Sequence, residues 1–461
     1  MRKAPALVLS LLSAGLLFND SVQAAARVWA NTGTDYNAAA SWNAGAGPAP
    51  GAGDVGQFSA AAVTQPNLTS SLSNAGLYFF GTGTSGYDVT GSAGIVLTLT
   101  GVSTSGSGGT SNSSAAAIRA DNTSGTNTID VALSLAPATT TTSVFVQAAG
   151  GTLVVNGAIS SVAGTNLSLR GGGTIALNNG GNSFTTASID TAGETLVIGA
   201  NGALGTGTFS VNSTATLQAG GGARTLANNI VVAGNTTLSG SNAFTFNGTV
   251  TSSGSSSRSF NVSNTGGAVF SGTVNLEEVG APAGRQFTIG GTSAVTINGV
   301  VQNGDTNAAS LRYNGSSTLT LTNSNTYTGG TLVGGNVTAT HDGGLGGGNV
   351  TLSAASITLT LQNGAANNYI ADTANVNIQF TTDTVALNFT GTDVIGSLTV
   401  NNTQQPTGIY GAVGSGAQFE LPEFTGSGTF TVLTQIPEPA TYMLMGLGLL
   451  VCAQQFRRKK S

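Results

Sequence analysis

TLTLTNSNTYTGGTLV, residues 318–333, opens with an apolar side chain at every second position, breaks into Asn, Ser and Gly, and returns to Thr-Leu-Val. Period two over a short run means a strand, because successive side chains point to opposite faces. The Asn and Gly residues between supply the positive φ and the side-chain-to-backbone bonds that turns need. The same alternation recurs as Phe209/Val211, Phe244/Phe246, Phe260/Val262, Val274/Leu276, Phe287/Ile289, Val295/Ile297 and Leu319/Leu321. Clusters of Gly, Asn and Ser, such as residues 219–222 and 252–255, separate the runs. Between the two ends of the chain no segment of useful length carries helical periodicity. The body is therefore all-β, and its many short strands either close into sandwiches or wind into a β-solenoid.

Repetition selects between these. TIALNNGGNSFT from Thr174 aligns with TLTLTNSNTYT from Thr318, and ANGALGTGTFSV from Ala200 aligns with HDGGLGGGNVTL from His341. Phe184 and Tyr327 are 143 residues apart, and Leu204 and Leu345 are 141 apart. That spacing predicts coils stacked so that like residues form ladders of Asn, Thr and aliphatic side chains. Residues 318–333 resemble the autotransporter-associated β-strand repeat, a Leu-Thr-Leu strand followed by an Asn-Thr-Tyr-Thr-Gly-Gly turn and a second strand. Ala203-Leu204-Gly205 and Leu345-Gly346 resemble the Ala-Leu-Gly turn that often follows. The copy at Thr174 departs from the pattern at Ser183-Phe184-Thr185-Thr186. Trp29, Trp42, Pro48 and GDVGQF from Gly53 resemble the opening of such proteins, and residues 387–411 resemble their closing segment. The resemblance implies a right-handed parallel β-helix over residues 25–435, continuous and capped at both ends. Residues 103–128, poor in apolar side chains, predict a long loop, and the stretch around Pro137 predicts a second soft spot.

The two ends read differently from the body. Arg2 and Lys3 precede an apolar stretch from residue 6 to 18, and small residues at 22–24 or 24–26 suit a signal peptidase. Residues 1–24 are expected to be a cleaved export signal ending at Ala24. At the other end, residues 440–453 form an apolar run, about 21 Å long as a helix, followed by Arg457, Arg458, Lys459 and Lys460. Such a run barely spans a hydrocarbon core of roughly 30 Å. The cations hold its inner end in the cytoplasm, so Pro437-Glu438-Pro439 falls on the outer face. Pro437, Glu438, Pro439, the apolar run and the basic end together resemble the PEP-CTERM sorting signal, here residues 436–461. That resemblance implies a short transmembrane sorting helix, an exosortase-type membrane protease as partner, cutting near Pro437-Glu438-Pro439, and transient anchoring in the inner membrane before delivery to the cell surface or extracellular matrix. Autotransporter passengers, by contrast, end in a translocator barrel of alternating strands.

Composition narrows the chemistry. Lys3, Lys459 and Lys460 are the only lysines, and the body from residue 25 to 436 holds 7 Arg against 16 Asp and Glu, a balance of −9. Scattered arginines on an acidic body do not bind phosphate chains, so nucleic acid is not an expected partner. Cys452 lies in the terminal apolar run, leaving the exported body without thiol or disulfide. A single histidine, His341, rules out a multi-histidine metal centre and reads as a surface turn residue. Paired carboxylates remain, because glycoside hydrolysis needs two. Glu277-Glu278 is the one adjacent acidic pair and reads as a solvated loop near Arg285; Asp190 and Glu194 flank a turn. No cofactor and no catalytic residue are expected. The reading is an exported, non-enzymatic structural protein of the surface or matrix. The alternatives are an adhesin that binds exopolysaccharide through exposed Asn, Thr, Ser and Tyr, and, further off, a β-helix polysaccharide lyase or hydrolase.

Overall fold

A computed structural model of the chain describes residues 25–101, 116–137, 142–282 and 284–434. The export signal with Ala24, the sorting segment with Pro437, Glu438 and Pro439, and the expected sorting helix lie outside the described residues. Among the described residues no helix is long and apolar enough to cross a membrane. The only helical turns there are two short 3₁₀ segments, Ala39–Ser41 and Asn43–Gly45.

The body is a parallel β-solenoid of about 14 turns. Each full coil contributes a strand to three faces in turn. The first face is a 12-stranded sheet running from Ala25–Val28 to Val301–Gln302, and the second is a 16-stranded sheet running from Asn67–Leu68 to Thr403–Gln404. The third comes in two parts: four strands from Leu72–Asn74 to Ile159–Ser161, then nine from Arg224–Leu226 to Phe424–Gly426. With strands about 4.8 Å apart, fourteen coils make a rod of roughly 65 Å.

The period-two pattern explains what fills it. Every apolar side chain in the seven alternating pairs above points inward and is at most 1% exposed. Register stacks like on like. Phe246 pairs with Phe270 in the next coil, their rings 5.0 Å apart and nearly parallel. Burying a Phe or Leu of this kind contributes about 1.5–3 kcal/mol, and repetition along the axis makes this the main source of cohesion.

Coil length is not constant and runs from 18 residues, between Leu319 and Val337, to 41, between Leu77 and Ile118. Ile230, Val250, Val274 and Val301 occupy one column at intervals of 20, 24 and 27 residues. The 141- and 143-residue spacing is therefore not the stacking period. Counted along the second face, it corresponds to six coils, about 29 Å along the axis. What does recur coil by coil is a corner between the third and first faces, as in Phe246-Asn247-Gly248-Thr249-Val250 and Phe270-Ser271-Gly272-Thr273-Val274. A Cβ on Gly272 would lie 2.2 Å from the Gly248 carbonyl oxygen beneath it. Only glycine lets two corners stack that closely.

The two aligned stretches share one local geometry. Asn182 Oδ1 accepts from the Ile159 amide (2.8 Å) while its Nδ2 donates to the Ala203 carbonyl (2.9 Å). Asn325 does the same with the Val301 amide (2.8 Å) and the Gly344 carbonyl (2.6 Å). In each copy this asparagine ties three successive coils together at an arc that replaces a strand. The arcs sit on different faces. Residues 178–185 fill the gap in the third face, whereas residues 322–330 lie where the first face has ended. Phe184 and Tyr327 are fully buried at equivalent places, Tyr327 adding a 2.6 Å bond between its hydroxyl and Thr331 Oγ1.

Both ends are closed. Trp29, Tyr36, Trp42 and Phe58 pack edge-on and tilted at the amino end, where the Trp42 indole donates to the Tyr36 carbonyl at 2.7 Å. At the carboxyl end the chain leaves the parallel pattern. Thr429–Val432 lies between Thr392–Ile395, which it pairs with in parallel, and Gly408–Gly411, which runs antiparallel to it.

One sequence expectation fails here. Within residues 103–128, Ala116–Ala120 is a mostly buried strand in the middle of the first face and Thr126–Ile129 a strand of the second. Small alanines hid the first from the alternation test. In the second, buried Asn127 takes an inward place because its amide reaches the Thr84 carbonyl (2.9 Å) and Asn122 (3.2 Å). Residues 102–115 lie outside the described residues.

Candidate functional site

Three consecutive coils depart from the regular outline at the corner between the first and second faces. In the coils just before, this corner takes three or four residues, as at 190–193, 212–214 and 233–235, but here it takes 253–257, 276–285 and 303–309. The three loops stack into a lateral boss and gather Arg258, Glu277, Glu278, Arg285 and Asp305. The other ion pairs among the described residues, Arg27–Asp54, Arg119–Asp121 and Arg170–Asp190, each join two side chains, whereas the boss brings five charged side chains together.

Glu278 organises the boss. Its carboxylate accepts from Ser253 Oγ and from the Gly254 amide (2.9 Å), and stands 3.6 Å from Arg285 Nη1. Arg285 is almost wholly buried and donates through Nη2 to the Ser256 carbonyl at 3.1 Å. Asp305 accepts from the amides of Gly280 (2.5 Å) and Thr306 (2.6 Å), which hold its carboxyl below the usual range. Glu277 is fully buried, and neither of its carboxylate oxygens has a hydrogen-bond partner. Burial pushes its carboxyl up, an effect that Arg285 opposes and Asp305 adds to.

The expected solvated Glu277-Glu278 loop is thus half right. Glu278 is part-exposed and pairs with Arg285 as its neighbourhood suggested, but Glu277 is packed inside. Glu277 is packed inside whereas Glu278 is held nearer the surface by Ser253, Gly254 and Arg285, so the two carboxyls face different surroundings.

The other singled-out residues stay apart. Asp190 directly follows the strand Thr186–Ile189 and Glu194 begins the next, as expected of a turn. Asp190 is a surface hub, accepting from Ser188 (3.0 Å) and Asn212 (2.7 Å) and lying 3.6 Å from Arg170. Glu194 faces the core, fully buried, with one oxygen accepting from the Gly172 amide (2.8 Å) and the other without a partner. Burial pushes its carboxyl up to about 8. Asp393, near the carboxyl-terminal cap, is raised by burial to about 7 although the Tyr369 and Ile370 amides donate to it. Neither buried acid announced itself in the sequence, since each sits where an apolar residue or Asn would fit the pattern. His341 is exposed in a turn. Among the described residues no three His, Cys, Asp or Glu side chains are close enough to share a metal ion.

Tyrosine also moved. Tyr36, Tyr87, Tyr313, Tyr327, Tyr369 and Tyr410 are all at most 1% exposed, so among the described tyrosines only Tyr78, part-exposed, reaches the surface where a ring could stack against a sugar. The outer surface instead carries columns of hydroxyls. On the third face Thr225 and Thr245, and then Thr296, Thr320, Thr338 and Thr360, stand in one register.

The chain is still tied to the cap where its described part ends. The Leu433 amide donates to the Ile395 carbonyl (3.1 Å) and the Thr434 amide to the Gly396 carbonyl (2.8 Å). The segment that follows is the one with a known counterpart. Residues 435–459 match the PEP-CTERM protein-sorting motif. No curated protein and no solved structure matches the chain. The motif makes this an exported protein, handled by an exosortase-type system and passed transiently through the membrane to the cell surface.

Proposed function

We propose that the protein is a non-enzymatic structural element of the cell surface or extracellular matrix, a stiff spacer delivered by its sorting tail. The observation that supports this reading is the unbroken stack of about 14 turns closed at both ends, in a chain that carries a sorting motif. A capped stack with hydrogen bonds along its axis resists bending and does not polymerise through open sheet edges. The arcs at 178–185 and 322–330, with their shared asparagine and buried aromatic residue, are the sites that carry the proposed kinship with autotransporter-associated repeats.

The test is a matrix measurement in cells lacking the gene. Loss of matrix stiffness should be restored equally by the wild-type protein and by a Glu277→Gln, Glu278→Gln variant. If the purified body depolymerises acidic polysaccharide and that variant does not, the protein is an enzyme and this reading fails.

A second reading, adhesion to exopolysaccharide, rests on the threonine column of the third face. Regular hydroxyls about 4.8 Å apart offer many weak contacts to a repeating polymer. Co-sedimentation with native exopolysaccharide, abolished when Thr296, Thr320 and Thr338 become Ala, would favour it.

A further inference from the structure

The outer face of the carboxyl-terminal sheet carries a single charge, Glu420 on the edge strand Phe419–Glu420, level with Gly411, Thr429 and Thr392 and held by the Gly414 and Gly416 amides (2.8 Å each); the three strands beside it present none. Across those three strands Val394, Thr431 and Ile409 stand side by side in register, with Thr392 and Thr429 beside them and Leu433 one step along. The opposite face of the same strands, Ile395, Phe430, Val432 and Tyr410, is buried against the solenoid. Ile409 and Leu433 are nevertheless 44% and 53% exposed, two of eight large apolar side chains exposed among the described residues. Nothing among the described residues covers them.

Position says what does. Thr434 is pinned to the cap, and only Gln435 and Ile436 separate it from Pro437. The apolar run of the sorting segment begins at Ala440, six residues on, a reach of at most about 20 Å when fully extended. While that run is held in a bilayer, this sheet is the part of the body nearest the lipid surface.

We propose that the outer face formed by Val394, Ile409 and Leu433 rests on the bilayer surface while the protein is held by its tail, and leaves it when the tail is cut. The contact is apolar rather than electrostatic. Residues 313–434 contain no Lys or Arg and six acidic residues, Asp342, Asp372, Asp383, Asp393, Glu420 and Glu423, so anionic lipid does not attract this end. Three part-exposed aliphatic side chains bind lipid too weakly to hold the rod alone. The tether raises their effective concentration at the surface, and cutting it removes that advantage. The face therefore orients the rod for cutting and does not retain it afterwards. This inference rests on the membrane stage of sorting.

The experiment uses the full chain in phosphatidylcholine vesicles, with Cys452 replaced by Ser and a polarity-sensitive dye on Ile409→Cys. Thr431→Cys serves as a second site on the same face, and Val63→Cys, 78% exposed near the amino end, as a distant control. Dye on the natural Cys452 reports insertion of the tail separately. The expected result is a blue shift and loss of aqueous iodide quenching at 409 and 431, unchanged by anionic lipid, with no shift at 63 and none at 409 in a chain ending at residue 436. Lipid-like signal at Cys452 with water-like signal at 409 and 431 overturns the proposal and leaves sorting intact. Water-like signal at Cys452 overturns both. A shift at 409 that grows with protein density in the vesicles also overturns it, because the occupant is then a second copy.

Discussion

Replacing Glu194 by Gln should remove a penalty that the wild-type rod carries at neutral and alkaline pH. The carboxyl is fully buried, holds one amide hydrogen bond from Gly172, and is raised from 4.5 to about 8 by burial. A folded-state value above the unfolded one means that the fold prefers the protonated acid. The group's contribution is then complete below about pH 4.5, falls as pH rises and is lost above about pH 8. At about 1.4 kcal/mol per pH unit, this window corresponds to at most about 5 kcal/mol. Gln keeps the shape and the acceptor for Gly172 and cannot ionise. Hydrogen exchange at the amides of Glu194–Ile198, read at pH 5 and pH 9 after correction for intrinsic rates, isolates the local effect in a molecule whose coils need not unfold together. Wild type and variant should be protected alike at pH 5, and the variant should be better protected at pH 9. Parallel loss of protection in the two proteins would refute the reasoning.

Gly272→Ala should cost roughly 2–4 kcal/mol and lower the melting temperature, because its Cβ meets the Gly248 carbonyl and neither backbone can give way. Asn325→Ala should cost a similar amount, roughly 2–4 kcal/mol, by stranding the Val301 amide and the Gly344 carbonyl inside the stack; denaturant melts would show it, and a change under 0.5 kcal/mol would contradict the coil-tying role. Changing Pro437, Glu438 and Pro439 together to Ala should leave export intact and trap a heavier, uncut form in the membrane, visible by intact mass; wild-type protein recovered from outside the cell with Arg457 still attached would mean that the tail is an ordinary anchor.

The alternating pairs were legible because inward and outward positions on a strand differ in chemistry, and Phe244/Phe246 or Leu319/Leu321 leave no doubt which way they face. Asn182 and Asn325 were legible as a repeat but not as ties between coils, since that role depends on carbonyls some twenty residues away. The coil period stayed hidden because corners absorb variable numbers of residues, ten at 276–285 against three at 212–214. Glu277 was misjudged for the opposite reason. An acidic pair in a Gly- and Pro-bearing stretch resembles a surface loop, and only the neighbouring loops at 253–257 and 303–309 bury half of it.

The hydrogen bonds that join one coil to the next run along the rod, and the last described residues, Leu433 and Thr434, are themselves joined by such bonds to 395 and 396. A pull on the carboxyl end therefore bears first on the cap and then on one coil at a time, as a zipper is opened, instead of shearing many bonds together. Each coil that peels away frees 18–41 residues, roughly 60–135 Å of slack. While its tail is still in the membrane, such a rod yields under tension in steps, and the aromatic cap around Trp42 at the far end is the last part to feel the load.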